Sequence, residues 1–128
     1  MNLVEIHKFL KRNNKNCVIF MKYGNFFRVF DKDTYIIWYY TEYKINNERV
    51  GFPINVIDKV KDILISNDIS LIIYNNGSYI KVDSINNKYE YIYKLARDKY
   101  EKIELLNILK DYDCLDKLRD FVDGIKSN

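Results

Sequence analysis

The side chains best placed to act on another molecule lie in one run, Lys22-Tyr-Gly-Asn-Phe-Phe-Arg28. Apolar and aromatic residues on both sides of Gly24-Asn25 predict a β-hairpin turning there, with strands over 17–23 and 26–30. Side chains alternate along a strand, so Phe26 and Arg28 share one face while Phe27 and Val29 share the other. If Phe27 and Val29 pack inward, Phe26 and Arg28 stand out as a ring and a cation, able to stack on a base and to touch a phosphate. The alternative is that Phe26 is a partly buried strand residue with no outside partner. Charge favours an anionic partner: Lys8, Lys11, Arg12, Lys15, Lys22, Arg28 and Lys32 face the single acid Asp31 between residues 7 and 32. A solvated basic face in a lysine-rich chain would give the same count.

Other chemistries find less. Glu42-Tyr43-Lys44 matches the last element of a metal-dependent nuclease, but no suitable Pro-Asp precedes it. Four scattered glycines make no phosphate loop, and no serine elbow or Cys with a conveniently placed His is present. Asp111, Asp113 and Asp116 lie between expected helices, where capping explains them better than metal binding. Cys17 and Cys114 are far apart and His7 is the only histidine, so neither a disulfide framework nor a zinc site is supported. No cofactor or metal is expected, and Cys17 reads as core filler.

The elements that would hold the hairpin follow from periodicity. With 128 residues, 48% of them apolar, the chain suits one core. Lys, Asn, Ile and Tyr supply 61 residues, a bias of base composition more than of chemistry. Leu3, Ile6, Phe9 and Leu10 predict a short amphipathic helix, and Val56, Val60, Ile63 and Leu64 a second, with Asn55 as its N-cap. Ile69 to Tyr74 and Ser78 to Val82 read as strands, and helical spacing runs across 89–110, with Asp113 capping a last helix. Residues 41–52 resemble a second hairpin about Asn46-Asn47. The stretch Tyr35 to Tyr40 has strand propensity, and Asp33 is a candidate N-cap. No apolar run reaches the roughly 20 residues of a spanning helix, and no long signal core is visible, so a cytosolic protein with reduced thiols is expected.

The run Val18-Ile-Phe-Met-Lys-Tyr-Gly-Asn-Phe-Phe-Arg-Val-Phe-Asp-Lys-Asp33 resembles the opening of the first, mismatch-recognising domain of the MutS DNA mismatch repair proteins, where an apolar strand leads into Gly-Asp-Phe-Tyr-Glu-Leu-Phe. Val50-Gly-Phe-Pro53 resembles that domain's Ala-Gly-(apolar)-Pro segment, and a helix and a strand follow in the same order. The resemblance covers roughly residues 3–75 and includes no ATPase, lever or clamp region. It implies that Phe26 is the ring that wedges against a mispaired base. It implies that Arg28 stands where the family has a base-contacting Glu, and Asn25 where it has Asp. It also implies a helix from Asp33 to about Tyr40, a strand from about Glu42, and Trp38 as a core anchor.

The fold expected is α/β, a mixed sheet of about six strands with surrounding helices. Residues 1–82 would form the body and 83–128 a helical extension packed on it, within a single domain. The function implied is a noncatalytic module for double-stranded DNA, mismatched or distorted, with Phe26 as wedge, Arg28 and Asn25 beside it, and Lys22 and Lys32 as backbone contacts. A protein partner or homodimer would strengthen it, and no membrane is involved. The alternative is a protein-interaction module on the same fold, in which Phe26 is buried.

Overall fold

Asn2 starts the first helix by accepting a hydrogen bond from the Glu5 amide at 2.9 Å, and the computed structural model describes residues 1–111. Helix α1 (Leu3–Asn13) ends on Lys11 and Arg12, which complement its dipole. Strands β1 (Val18–Tyr23) and β2 (Phe26–Phe30) form the expected hairpin. Helix α2 (Lys32–Thr41), strand β3 (Arg49–Pro53), a 3-10 turn at Ile54–Val56 and helix α3 (Ile57–Ser66) come next. Strands β4 (Leu71–Asn75) and β5 (Ser78–Val82) and helix α4 (Tyr89–Asp111) complete the described residues.

The sheet has five strands in the order β3-β2-β1-β4-β5, with β1 and β4 parallel and every other pair antiparallel. Alternation sorts its side chains into two layers. On one face Val18, Phe20, Phe27, Val29, Val50, Phe52 and Leu71 pack with Ile36 and Ile37 of α2, Val60 and Leu64 of α3, and Tyr89 and Ile92 of α4. On the other face Ile19, Met21, Ile72 and Tyr74 pack under Leu10 of α1. Helix α1 therefore covers the middle of that second face. On the β2–β3 part of that face Phe30 packs against this cluster, whereas Phe26, Arg28, Arg49, Gly51 and Pro53 belong to neither core.

The two layers are tied by one buried carboxylate. Asp33 is fully buried, and its Oδ1 accepts from Lys11 Nζ at 2.7 Å and from the Tyr89 hydroxyl at 2.6 Å. Its Oδ2 accepts from the Ile19 amide at 3.0 Å, and Lys11 also donates to the Cys17 carbonyl at 2.7 Å. Burial and the adjacent carboxylate push the Tyr89 phenol far above its ordinary pKa, so it stays a donor. Asp33 is thus a tether in the second helical position and not the expected N-cap. Asp31 precedes the helix without a side-chain cap bond.

Five strands replace the expected six because 42–48 does not pair. Glu42, Asn47 and Glu48 take left-handed backbone angles, and only an isolated bridge joins Asn46 to Arg49. Glu42 closes α2 with its amide on the Trp38 carbonyl at 2.8 Å, while Tyr43 and Ile45 turn onto the core instead of extending a ladder. The helix implied over 33–40 is present as α2. Ile36 and Ile37 are its core anchors; Trp38 is only half-buried. Asn55 lies within the 3-10 turn, and α3 starts without a side-chain cap.

The chain divides into two compact units, Met1–Arg97 and Asp98–Asn128. The first takes in the sheet and the buried Tyr89, Ile92 and Ala96. In the second, residues 98–111 are helical and expose Leu105, Leu106 and Ile108. The expected last helix from Asp113, with Asp116 and Cys114, lies outside the described residues.

The hairpin turn gives a simple test of the backbone. Tyr23 pairs with Phe26, so the loop has two residues, and Gly24 takes φ +58° at the first of them. A methyl group there meets open space, so only the left-handed backbone penalises Gly24→Ala. We expect a loss of about 1–2 kcal/mol in urea unfolding.

Candidate nucleic-acid interface

The hairpin positions its tip by register. Phe27 and Val29 are buried and pair with Phe52 and Val50, whereas Phe26 is 48% exposed. The Asn25 carbonyl accepts from the Ile54 amide at 3.1 Å, which pins the turn to the chain after β3; the residue itself is exposed. Arg28, two residues along the Phe26 face, lays its guanidinium 4.9 Å over the Tyr23 ring. Its partner across the ladder is Gly51, so no side chain rises opposite it.

A groove of about 690 Å³ runs along this part of the sheet. Phe26 and Pro53 stand at the hairpin end, Arg28 and Arg49 on the strands, and Tyr43 and Lys44 on the loop after α2. No carboxylate among the described residues lines it. Arg28, Lys44 and Arg49 make no ion pair with a carboxylate among the described residues. Unpaired cations around one exposed ring attract an extended anion and offer it a surface on which to stack.

The five residues expected at the site are not all brought together. Phe26, Asn25 and Arg28 form the tip and its flank. Lys22 pairs with Phe27 and so projects from the opposite face of the sheet. Lys32 lies 3.8 Å from Glu90 and 4.9 Å over the Tyr93 ring, away from the groove. Lys44 and Arg49, which the sequence reading did not assign to this site, line the groove in their stead. Arg49 could have been found from its place two residues before the Gly-Phe-Pro element; Lys44 could not, because its loop carries no periodicity. No group of three or more His, Cys, Asp or Glu among the described residues could hold a metal ion, and Glu42 ends a helix.

His7 packs its ring edge-on to Phe30 at 5.0 Å behind this face. Burial holds its pKa below the usual value, against the pull of Asp33. The folded protein therefore binds this proton less readily than the unfolded chain. Its contribution is complete above pH 6.5 and falls as pH drops below that value. The melting temperature should decline from pH 7 to pH 5.5, and His7→Leu should reduce the decline.

The architecture is a small α/β domain in which a core-anchored hairpin lifts one ring beside a groove lined by cations. The sequence model of MutS domain I matches residues 2–95, most of the chain, and the chain belongs to that family, whose first domain is the noncatalytic mismatch-recognition domain. No curated protein matches the chain. No helix among the described residues is long and apolar enough to cross a membrane.

Proposed function

We propose that this domain binds double-stranded DNA and inserts Phe26 as a wedge where the stack is weakened by a mispair or distortion. The observation that carries the reading is Phe26 itself, 48% exposed at the tip of a hairpin over a groove with no carboxylate in its lining. Arg28, Arg49 and Lys44 contact phosphates, and Asn25 sits beside the wedge. The protein-interaction alternative expects a buried Phe26, and the 48% exposure of that ring supports the wedge instead.

Arg28 in place of the family's Glu changes the selectivity. A carboxylate is repelled by intact duplex and tolerated where a loosened base compensates, whereas a guanidinium attracts any duplex. Discrimination between mismatched and perfect duplex is therefore weaker, and nonspecific binding stronger and more salt-sensitive. A lone wedge must offset a few kcal/mol of unstacking per base step, so affinity is low unless a second copy or a partner protein adds contacts.

A salt series with perfect, mismatched and single-stranded DNA tests this. Arg28→Ala and Arg49→Ala should each flatten the slope of log K against log salt by about 1. Arg28→Glu should raise the ratio of mismatched to perfect binding as total affinity falls. Equal, salt-independent affinities in all variants would reject the proposal.

A further inference from the structure

A second cavity of about 410 Å³ lies between α1 and the β2–β3 part of the sheet. That volume falls within the range of small-molecule sites, roughly 300–1,000 Å³. His7, Tyr23 and Phe30 supply its rings, with the Tyr23–Phe30 centroids 6.1 Å apart and edge-on. Lys8, Arg28 and Arg49 supply cations, and Asp31 and Glu48 supply carboxylates. None of the three cations is ion-paired within the described residues.

One atom in this wall has no account in the fold. Nε2 of His7 is buried without a hydrogen-bond partner, the only side-chain nitrogen or oxygen among the described residues so left. Buried polar atoms are nearly always paired, so this orphan is exceptional; the atom is closed to solvent, and a small turn of the His7 ring, which lines the cavity, would bring it to a ligand. The ring is neutral at pH 7 because burial lowers its pKa, and a neutral imidazole offers one donor and one acceptor.

The lining selects among ligands. A bare anion would use the cations alone and leave the partly exposed ring surfaces of Tyr23, Phe30 and His7 uncovered. An apolar ligand would bury the cations unpaired, at a cost. A nucleotide meets every group: its base packs on rings, its phosphate takes the cations, and an exocyclic amine donates to a carboxylate.

We infer that this cavity binds one nucleotide, with the base against Tyr23, Phe30 and His7, the phosphate on Lys8, Arg28 and Arg49, and a base amine on Asp31 or Glu48. The inference goes beyond the wedge reading, since Phe26 does not line this cavity. The nucleotide is either free or turned out of a strand whose neighbours occupy the groove, because Arg28 and Arg49 line both spaces.

The single histidine makes the test direct, since its imidazole proton resonances are identifiable without variants. Titrating the full chain with dGMP should shift them saturably. Thymidine monophosphate has no exocyclic amine and should bind more weakly, and inorganic phosphate should bind more weakly by about tenfold or more. Lys8→Ala should weaken dGMP by about three- to tenfold, as loss of one exposed charge contact implies. Phe26→Ala should leave dGMP binding unchanged while lowering duplex affinity, so failure of the wedge and failure of the cavity read differently. Absence of any shift at millimolar dGMP, or an equal response to inorganic phosphate, would overturn the inference. A mispaired duplex carrying 2-aminopurine separates the two sources. A fluorescence rise that Lys8→Ala suppresses identifies a base turned out of a strand, and binding of dGMP without that rise identifies the free nucleotide.

Discussion

Asp33→Ala should destabilise the domain by about 3–5 kcal/mol, the range for breaking a buried ion pair by removing one partner. The carboxylate is fully buried and holds three donors: Lys11, Tyr89 and the Ile19 amide. Removing it leaves an ammonium, a phenol and a strand amide short of an acceptor in a place water does not reach easily. Lys11 retains the Cys17 carbonyl, which softens the loss but cannot neutralise the charge. A small domain has roughly 5–15 kcal/mol in total, so the variant should be marginal. Urea unfolding followed by circular dichroism reads the change. The companion Lys11→Met removes the cation and leaves the carboxylate with two neutral donors, and Asp33→Ala with Lys11→Met should be more stable than Asp33→Ala alone. A loss below about 1 kcal/mol for Asp33→Ala, the scale of an exposed ion pair, would mean that solvent enters this region.

Phe26→Ala should cost affinity without costing stability. A base stacked on an aromatic ring is worth about 1–3 kcal/mol, which converts to about five- to 150-fold weaker binding of mismatched duplex. Perfect duplex should lose less, because its bases are not free to meet the ring. Nearly half the ring is already in water, so unfolding should change little. Phe27→Ala should do the reverse. That ring is 5% exposed and packs beside Phe52, and its removal should cost about 3–5 kcal/mol of stability. Two adjacent phenylalanines with opposite phenotypes would locate the wedge; matching losses of affinity, after correction for unfolding, would refute it.

The hairpin was legible because its signal is local. Apolar and aromatic runs flank a glycine turn, and alternation puts Phe26 and Phe27 on opposite faces; only the fold decides that Phe27 is the inward one. Helices α1 and α3 and strand β5 were legible for the same reason. The loop over 42–48 was not, since Tyr43 and Ile45 carry strand propensity but spend their rings and methyls on the core after Glu42 turns left-handed. The resemblance implied Trp38 as a core anchor, yet α2 places Ile36 and Ile37 against the sheet instead. Asp33 was read as a cap because it begins a helix; its true partners are 14, 22 and 56 positions away in the chain, and no local rule reaches them. The site split along the same line. Asn25, Phe26 and Arg28 belong to one turn, whereas Arg49 and Lys44 join them only through strand pairing and a loop path.

The Asp33 tether also orders events during synthesis. Lys11, Ile19 and Asp33 leave the ribosome early, but the Tyr89 hydroxyl follows 56 residues after the carboxylate it must satisfy. Until then water stands in for the phenol at the Asp33 carboxylate, and the two layers cannot close dry over it. The hairpin can form at once, so the ring at its tip is presented before the scaffold behind it has set, a window in which a chaperone would find an exposed phenylalanine on an unfinished sheet.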